Sequence, residues 1–272
     1  SERAIGAWLA AHPGVRDSLV IATKAGITRD AEGNRVFDNS PAHLEAELDG
    51  SLERLGIDCV DLFYVHRREA ERPIEEVAET LAGLVKKGKT RAFGFSEIAP
   101  SSLRRAHAVH PVGAVQSEYS LSTRAPELGL VQACAELGTA FVAFSPVGRG
   151  FLTDAPIPLK RARKLAFTSV NPRFIEPNYS ANIAATDRFR RLAAEMGAPA
   201  AAVAIAWTLA QGEHVLPIPG TRSVAHFREL VRGTELTLTE TDLAAIEAAL
   251  PVGWAHGDRY DAPQWVGPER YC

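Results

Sequence analysis

The sequence has no paired-cysteine framework. Cys59, Cys134 and Cys272 form an odd set without CxxC spacing, which argues against disulfide stapling and against a thiolate zinc site. The eight histidines lack metal-ligand spacing, so no metal is expected. No apolar run reaches transmembrane length, and no signal peptide precedes SERAIGAWLAAH, so a membrane is not an expected partner and a reducing cytoplasm is the expected location. Long runs of one charge sign are missing too. The 30 basic and 33 acidic residues are interspersed, with a formal net charge of -3, so no nucleic-acid or anionic-lipid surface is expected. A dinucleotide-binding GxGxxG is also absent; the lone GRG at 148–150 does not supply one. What remains is a chain whose partner is a small molecule. Its assembly state is not legible.

What is present alternates. Six short segments, mostly apolar on both faces, read as parallel strands covered on both sides: SLVIATK (18–24), VDLFYVH (60–66), RAFGFS (91–96), GAVQSEY (113–119), AFVAFS (140–145) and VLPIPG (215–220). Helices lie between them. Leu44, Leu48, Leu52 and Leu55 make one apolar stripe, opened by Pro41 and closed by Gly56. Val77, Leu81, Leu84 and Val85 make another, with acids in its first turn and Lys86, Lys87 and Gly88 at its close. Shorter helices follow Pro100 and Pro126. An irregular stretch rich in proline and basic residues, TDAPIPLKRARKLAFTSVNPRFIEPNYS, reads as a lid or binding loop. Helices resume at Ala181, at Ala198 and at a Thr239 to Asp242 capping box. No linker or repeat divides residues 1–272, so one domain is expected.

Strand then helix, repeated, is the pattern of a parallel α/β fold, and without a Rossmann glycine motif the (β/α)8 TIM barrel is favoured. The apolar runs end in polar or aromatic groups: Lys24, His66, Ser96 and Glu97, Gln116, Phe144 and Ser145, then Gly220, Thr221 and Arg222. In a barrel these ends converge on one mouth, where catalysis occurs. Six units do not close a ring of eight. About fifty to sixty residues, roughly two such units, are therefore expected to precede Ser1. A lysine in the mouth also needs a carboxylate partner, which none of the six strands visibly supplies. Arg67 and Arg68 read as rim charges. Trp254, Tyr260 and Trp265, in a tail from about residue 251 to 272 over the mouth, either wall a substrate pocket or simply pack.

GSLERLGIDCVDLFYVHR resembles the aldo-keto reductase signature around the catalytic histidine, and IATK resembles the strand bearing its catalytic lysine. AFSPVGRGFL and VLPIPGTR resemble its two cofactor segments, most like those of the bacterial branch. The resemblance implies an NADPH-dependent reductase of aldehydes or ketones, in which a tyrosine upstream of Ser1 gives the proton. Lys24 would lower that tyrosine's pKa and His66 would hold the carbonyl oxygen. It further implies that Ser96, Glu97 and Gln116 meet the nicotinamide carboxamide, Glu97 standing where many relatives have asparagine. Phe144 would stack on the nicotinamide. Ser145, Val147, Gly148 and Arg149 would lie against the pyrophosphate, and Gly220, Thr221 and Arg222 would grip the 2′-phosphate. Glu229 would meet the adenine, beside a Leu230 that replaces an asparagine. A non-catalytic NADPH-binding sensor on the same fold is the alternative.

Overall fold

Short apolar strands and amphipathic helices alternate along the chain in a computed structural model that describes residues 1–270; Tyr271 and Cys272, the end of the tail, lie outside the described residues. Two compact units emerge. The first comprises Ser1–Gln116, Gln132–Ala140 and the residues from Gly267 onward; the second comprises Ser117–Val131 and Phe141–Val266.

In chain order the elements are α1 (Glu2–Ala11), β1 (Ala22–Ala25), β2 (Ile27–Arg29), β3 (Arg35–Phe37), α2 (Pro41–Leu55), β4 (Val60–Val65), α3 (Ile74–Lys86), β5 (Thr90–Ser96), α4 (Pro100–Val109), β6 (Ala114–Glu118), α5 (Leu130–Leu137), β7 (Ala140–Phe144), α6 (Leu159–Ala162), α7 (Asn178–Glu195), α8 (Ala200–Leu209), β8 (Val215–Ile218), α9 (Val224–Glu235) and α10 (Glu240–Ala249).

In the first unit β1, β4, β5 and the start of β6 pair in that order, all parallel. The register sets Lys24 beside Tyr64 and Ser96 beside Gln116. Helices α2 and α3 pack on β1 and β5. Leu44, Leu48 and Leu55 of α2 are buried, and Leu52 stands at the edge of the stripe. Each fully buried leucine contributes about 1.5–3 kcal/mol. The Ser40 hydroxyl caps α2 by accepting from the His43 amide at 3.3 Å, and Gly56 ends it in the left-handed conformation. On α3, Val77, Leu81 and Leu84 are buried with Ile74 and Ala78, while Val85 is half-buried.

The structure corrects one expectation and adds one element. The first strand begins at Ala22, not Ser18, because Arg16–Ser18 makes a turn of 3-10 helix and Val20 is 81% exposed. The antiparallel hairpin β2–β3 was not anticipated: its strands are three residues each, too short for alternation to register, and Asp30 fixes its turn by accepting from the Asn34 amide at 2.8 Å.

In the second unit β7 and β8 pair in parallel, with Phe144 beside Ile218. Helix α8 is alanine-rich and buried over nine of its ten residues, packing on β8 and α9. The Tyr119 ring sits edge-on to Phe141 at 5.5 Å and 5.4 Å from Trp207. The Thr239 to Asp242 capping box forms as the sequence specifies. The stretch expected to be irregular contains α6, and α7 starts at Asn178 rather than Ala181. Among the described residues no single helix is long and apolar enough to cross a membrane.

Candidate active site

The period of two along a strand fixes which side chains share a face. In the first unit it brings Lys24, Tyr64 and His66, Ser96 and Gln116 to one face at the C-terminal ends of four neighbouring strands. The His66 amide donates to the Ala25 carbonyl at 2.8 Å, which holds the end of β4 against the end of β1. Lys24 Nζ donates to Gln116 Oε1 at 2.7 Å, and the Gln116 side chain also hydrogen-bonds Tyr64.

The electrostatics follow from this crowding. Burial, with the positive charges of Lys24, Arg67 and Arg35, pulls the His66 pKa down to about 3, so its imidazole is neutral at ordinary pH. Lys24 keeps solvent-accessible surface, yet the protein around it and the Arg67 charge lower its pKa. Among the described residues its side-chain hydrogen bond goes to a neutral amide, that of Gln116. Tyr64 is buried and its phenol is pushed well above the usual range by desolvation.

Arg67 and Arg68, expected as rim charges, are half-buried and hydrogen-bonded. Arg67 Nη1 donates to the His66 carbonyl at 2.6 Å and to Ser96 Oγ at 3.1 Å. Arg68 pairs with Glu269 at 2.5 Å and donates to the Arg72 carbonyl at 2.7 Å, with 12% of its side chain exposed. Glu97 is buried in a left-handed bend at φ 58°; its amide donates to the Gln116 carbonyl at 2.9 Å and its carbonyl accepts from the Glu269 amide at 2.8 Å.

The second unit holds the remaining candidates. Phe144 ends β7 half-buried. Ser145, Gly148 and Arg149 all have left-handed backbones. A side chain at Gly148 would be strained, since its Cβ would also lie 2.9 Å from Ser122 Oγ. Val147 is half-buried between them. The Arg149 guanidinium turns onto Glu118, which is fully buried: Nη2 pairs with Oε2, and Nε lies 3.4 Å from Oε1. Arg173 and Arg259 approach the same carboxylate at 3.7 and 3.8 Å, and the Thr123 hydroxyl donates to it at 3.1 Å. Burial alone would raise the Glu118 pKa; the three guanidinium charges overcome that and lower it.

Gly220, Thr221 and Arg222 are exposed where β8 turns into α9, with the Thr221 hydroxyl accepting from the Ser223 amide at 3.1 Å. Glu229 is half-buried on α9 beside the buried Leu230. The aromatic tail is held by packing and hydrogen bonds: Trp254 Nε1 donates to the Leu121 carbonyl at 2.8 Å, Trp265 Nε1 to Asp258 at 2.9 Å, and Tyr260 is buried.

Sequence reasoning missed Tyr64, Glu118, Arg173, Arg259 and Glu269. Tyr64 and Glu118 each lie two residues from a named candidate on the same strand, and that alternation was the available signal. The other three come from distant loops and carry no local pattern.

The aldo/keto reductase family model matches residues 1–251. The chain is 37% identical over 264 residues to the "Aldo-keto reductase yakc [NADP(+)]" of Schizosaccharomyces pombe, covering 96% of this chain and 77% of that protein. It is 37% identical over 262 residues to "Aldo-keto reductase str7" of Strobilurus tenacellus, covering 95% and 76%. Among solved structures, the glycerol dehydrogenase AKR11B4 from Gluconobacter oxydans aligns with a TM-score of 0.80 at 27% identity, over 96% of this chain and 79% of that one. The chain belongs to the aldo/keto reductase family. Its fold is that family's (β/α)8 barrel, an α/β architecture that supports catalysis at the C-terminal ends of its strands.

Proposed function

We propose that the protein reduces the carbonyl group of an aldehyde or ketone to an alcohol, with NADPH as hydride donor. The observation that carries this reading is the placement of Lys24 and a neutral His66 at the same ends of paired strands, with Gln116 bonded to the lysine. NADPH, when bound, supplies the hydride that the carbonyl carbon takes up, while the carbonyl oxygen takes a proton.

In this reading the proton comes from a tyrosine upstream of Ser1. The Lys24 ammonium stabilises the phenolate left behind, bringing a phenol of ordinary pKa about 10 toward working pH. The neutral His66 imidazole hydrogen-bonds the carbonyl oxygen and orients it without adding a charge that would trap an anionic product. Ser96 and Gln116 hold the carboxamide of the nicotinamide, and Glu97 adds a contact where asparagine is common. The half-buried Phe144 stacks its ring on the nicotinamide. Ser145, Val147, Gly148 and Arg149 form the loop against the pyrophosphate. Gly220, Thr221 and Arg222 take the 2′-phosphate, for which an exposed guanidinium beside a hydroxyl is the right chemistry, and Glu229 meets the adenine.

The test is consumption of NADPH by the full-length protein with a panel of small aldehydes and ketones. Carbonyl-dependent oxidation of NADPH is the expected result. NADPH binding without any carbonyl-dependent oxidation would refute the reductase in favour of a cofactor-binding sensor, and absence of binding would refute both.

A further inference from the structure

Arg149 has a left-handed backbone at φ 56° and ψ 28°, a conformation that a residue with a Cβ adopts only when its surroundings over-determine it. The surroundings here are specific. Its guanidinium is paired with the fully buried Glu118, lies 4.1 Å from the centroid of the Phe167 ring, and sits 5.3 Å from that of Tyr260. Arg259 lies 4.7 Å from the ring centroids of both Tyr260 and Trp265, so Tyr260, one of the two rings beside Arg149, is itself held in place. Only 15% of the Arg149 side chain is exposed. A guanidinium spent in this way is not a free cation for a phosphate. In the loop it belongs to, left-handed at Ser145, Gly148 and Gly150, the amides of Gly148 and Gly150 donate to the Ser145 and Val147 carbonyls at 2.9 and 3.0 Å and Pro146 has none, so the main chain would meet a ligand through the amides of Val147 and Arg149, whose directions depend on those dihedral angles.

We propose that Glu118 is a positioning residue for cofactor binding: by holding the Arg149 side chain inward, it fixes the left-handed backbone of residues 145–150 so that the loop's main chain, and not the Arg149 guanidinium, receives the cofactor pyrophosphate. This rests on the assignment of that loop to NADPH. The Thr123 hydroxyl and the guanidinium groups of Arg173 and Arg259 complete the shell around the carboxylate and favour its ionised form.

Isothermal titration of the full-length protein tests this with two probes. NADP+ carries the pyrophosphate; 2′-AMP carries only the 2′-phosphate and adenosine. Glu118→Gln keeps the shape and removes the charge, and is expected to weaken NADP+ binding about tenfold while leaving 2′-AMP binding within about twofold. If Arg149 were instead a direct phosphate ligand, Glu118→Gln would free it, and NADP+ binding would hold or tighten; that result overturns the proposal. Arg149→Met guards against misfolding of the first variant, because it leaves Glu118 with two arginines and puts an apolar chain between the rings. It too should weaken NADP+ and spare 2′-AMP, which excludes a general structural role, while Glu118→Gln decides between the main chain and the guanidinium. Equal weakening of both probes by either folded variant would show a general structural role and refute positioning. Failure of the unaltered protein to bind NADP+ would overturn the NADPH assignment itself, a result distinct from each of these.

Discussion

His66 makes the sharpest prediction, because its neutrality has a cost that pH exposes. In the unfolded chain its imidazole titrates near 6.5; in the fold, burial and the charges of Lys24, Arg67 and Arg35 pull that value down to about 3. Between these two values the unfolded chain takes up a proton that the folded chain refuses. Stability therefore rises with pH across this window, and falls as the pH drops from about 6.5 toward about 3. From about pH 7 to about pH 5 the loss attributable to this one group is about 2 kcal/mol, set almost wholly by the unfolded reference since the folded site remains neutral throughout. Replacing His66 by Gln removes the titration while keeping a hydrogen-bonding side chain. Urea unfolding of both proteins at the two pH values gives the measurement. The expected outcome is that His66→Gln loses about 2 kcal/mol less than the unaltered protein over this range. Parallel pH profiles would show that the imidazole is not held neutral, and would remove the uncharged hydrogen-bond role from the proposed mechanism.

Lys24→Met should abolish carbonyl reduction while NADPH still binds, measured by single-turnover absorbance and by titration; undiminished turnover would remove Lys24 from the chemistry. Arg222→Ala should raise the dissociation constant for NADPH at least about tenfold more than that for NADH, since the 2′-phosphate alone distinguishes them; equal effects would refute that contact. Gly94→Ala puts a Cβ 2.4 Å from the Ala114 carbonyl oxygen and 2.7 Å from the Tyr64 ring, both fixed in the sheet. It should destabilise by about 1–3 kcal/mol in denaturant unfolding, and a change below about 0.5 would refute the packing argument.

Much of the fold was legible because it depends on local pattern. Apolar runs without alternation marked the parallel strands, and the stripe of Leu44, Leu48 and Leu55 marked a helix with its cap and stop. Boundaries slipped at Val20, where an apolar residue lies outside the strand, and at Asn178, where Pro177 marks the helix start inside a polar stretch that read as loop. The candidate site was legible in outline, since Lys24 and His66 end apolar runs and a strand's period forces neighbouring ends to share a face. The role of Arg149 was not. In sequence it is a cation in a glycine loop, indistinguishable from a phosphate ligand, and only the folded chain shows its guanidinium already occupied by Glu118.

The sequence by itself thus determined which elements form and which chemical groups stand at the strand ends, because propensity, periodicity and capping act over a few residues. The tertiary structure alone decided how those groups are charged and what they touch: the depressed His66, the amide partner of Lys24, the arginine shell of Glu118. Those properties arise from desolvation and from charges brought within a few ångströms by residues up to about a hundred and forty positions apart, such as Glu118 and Arg259, and nothing in a local stretch of sequence encodes such distances.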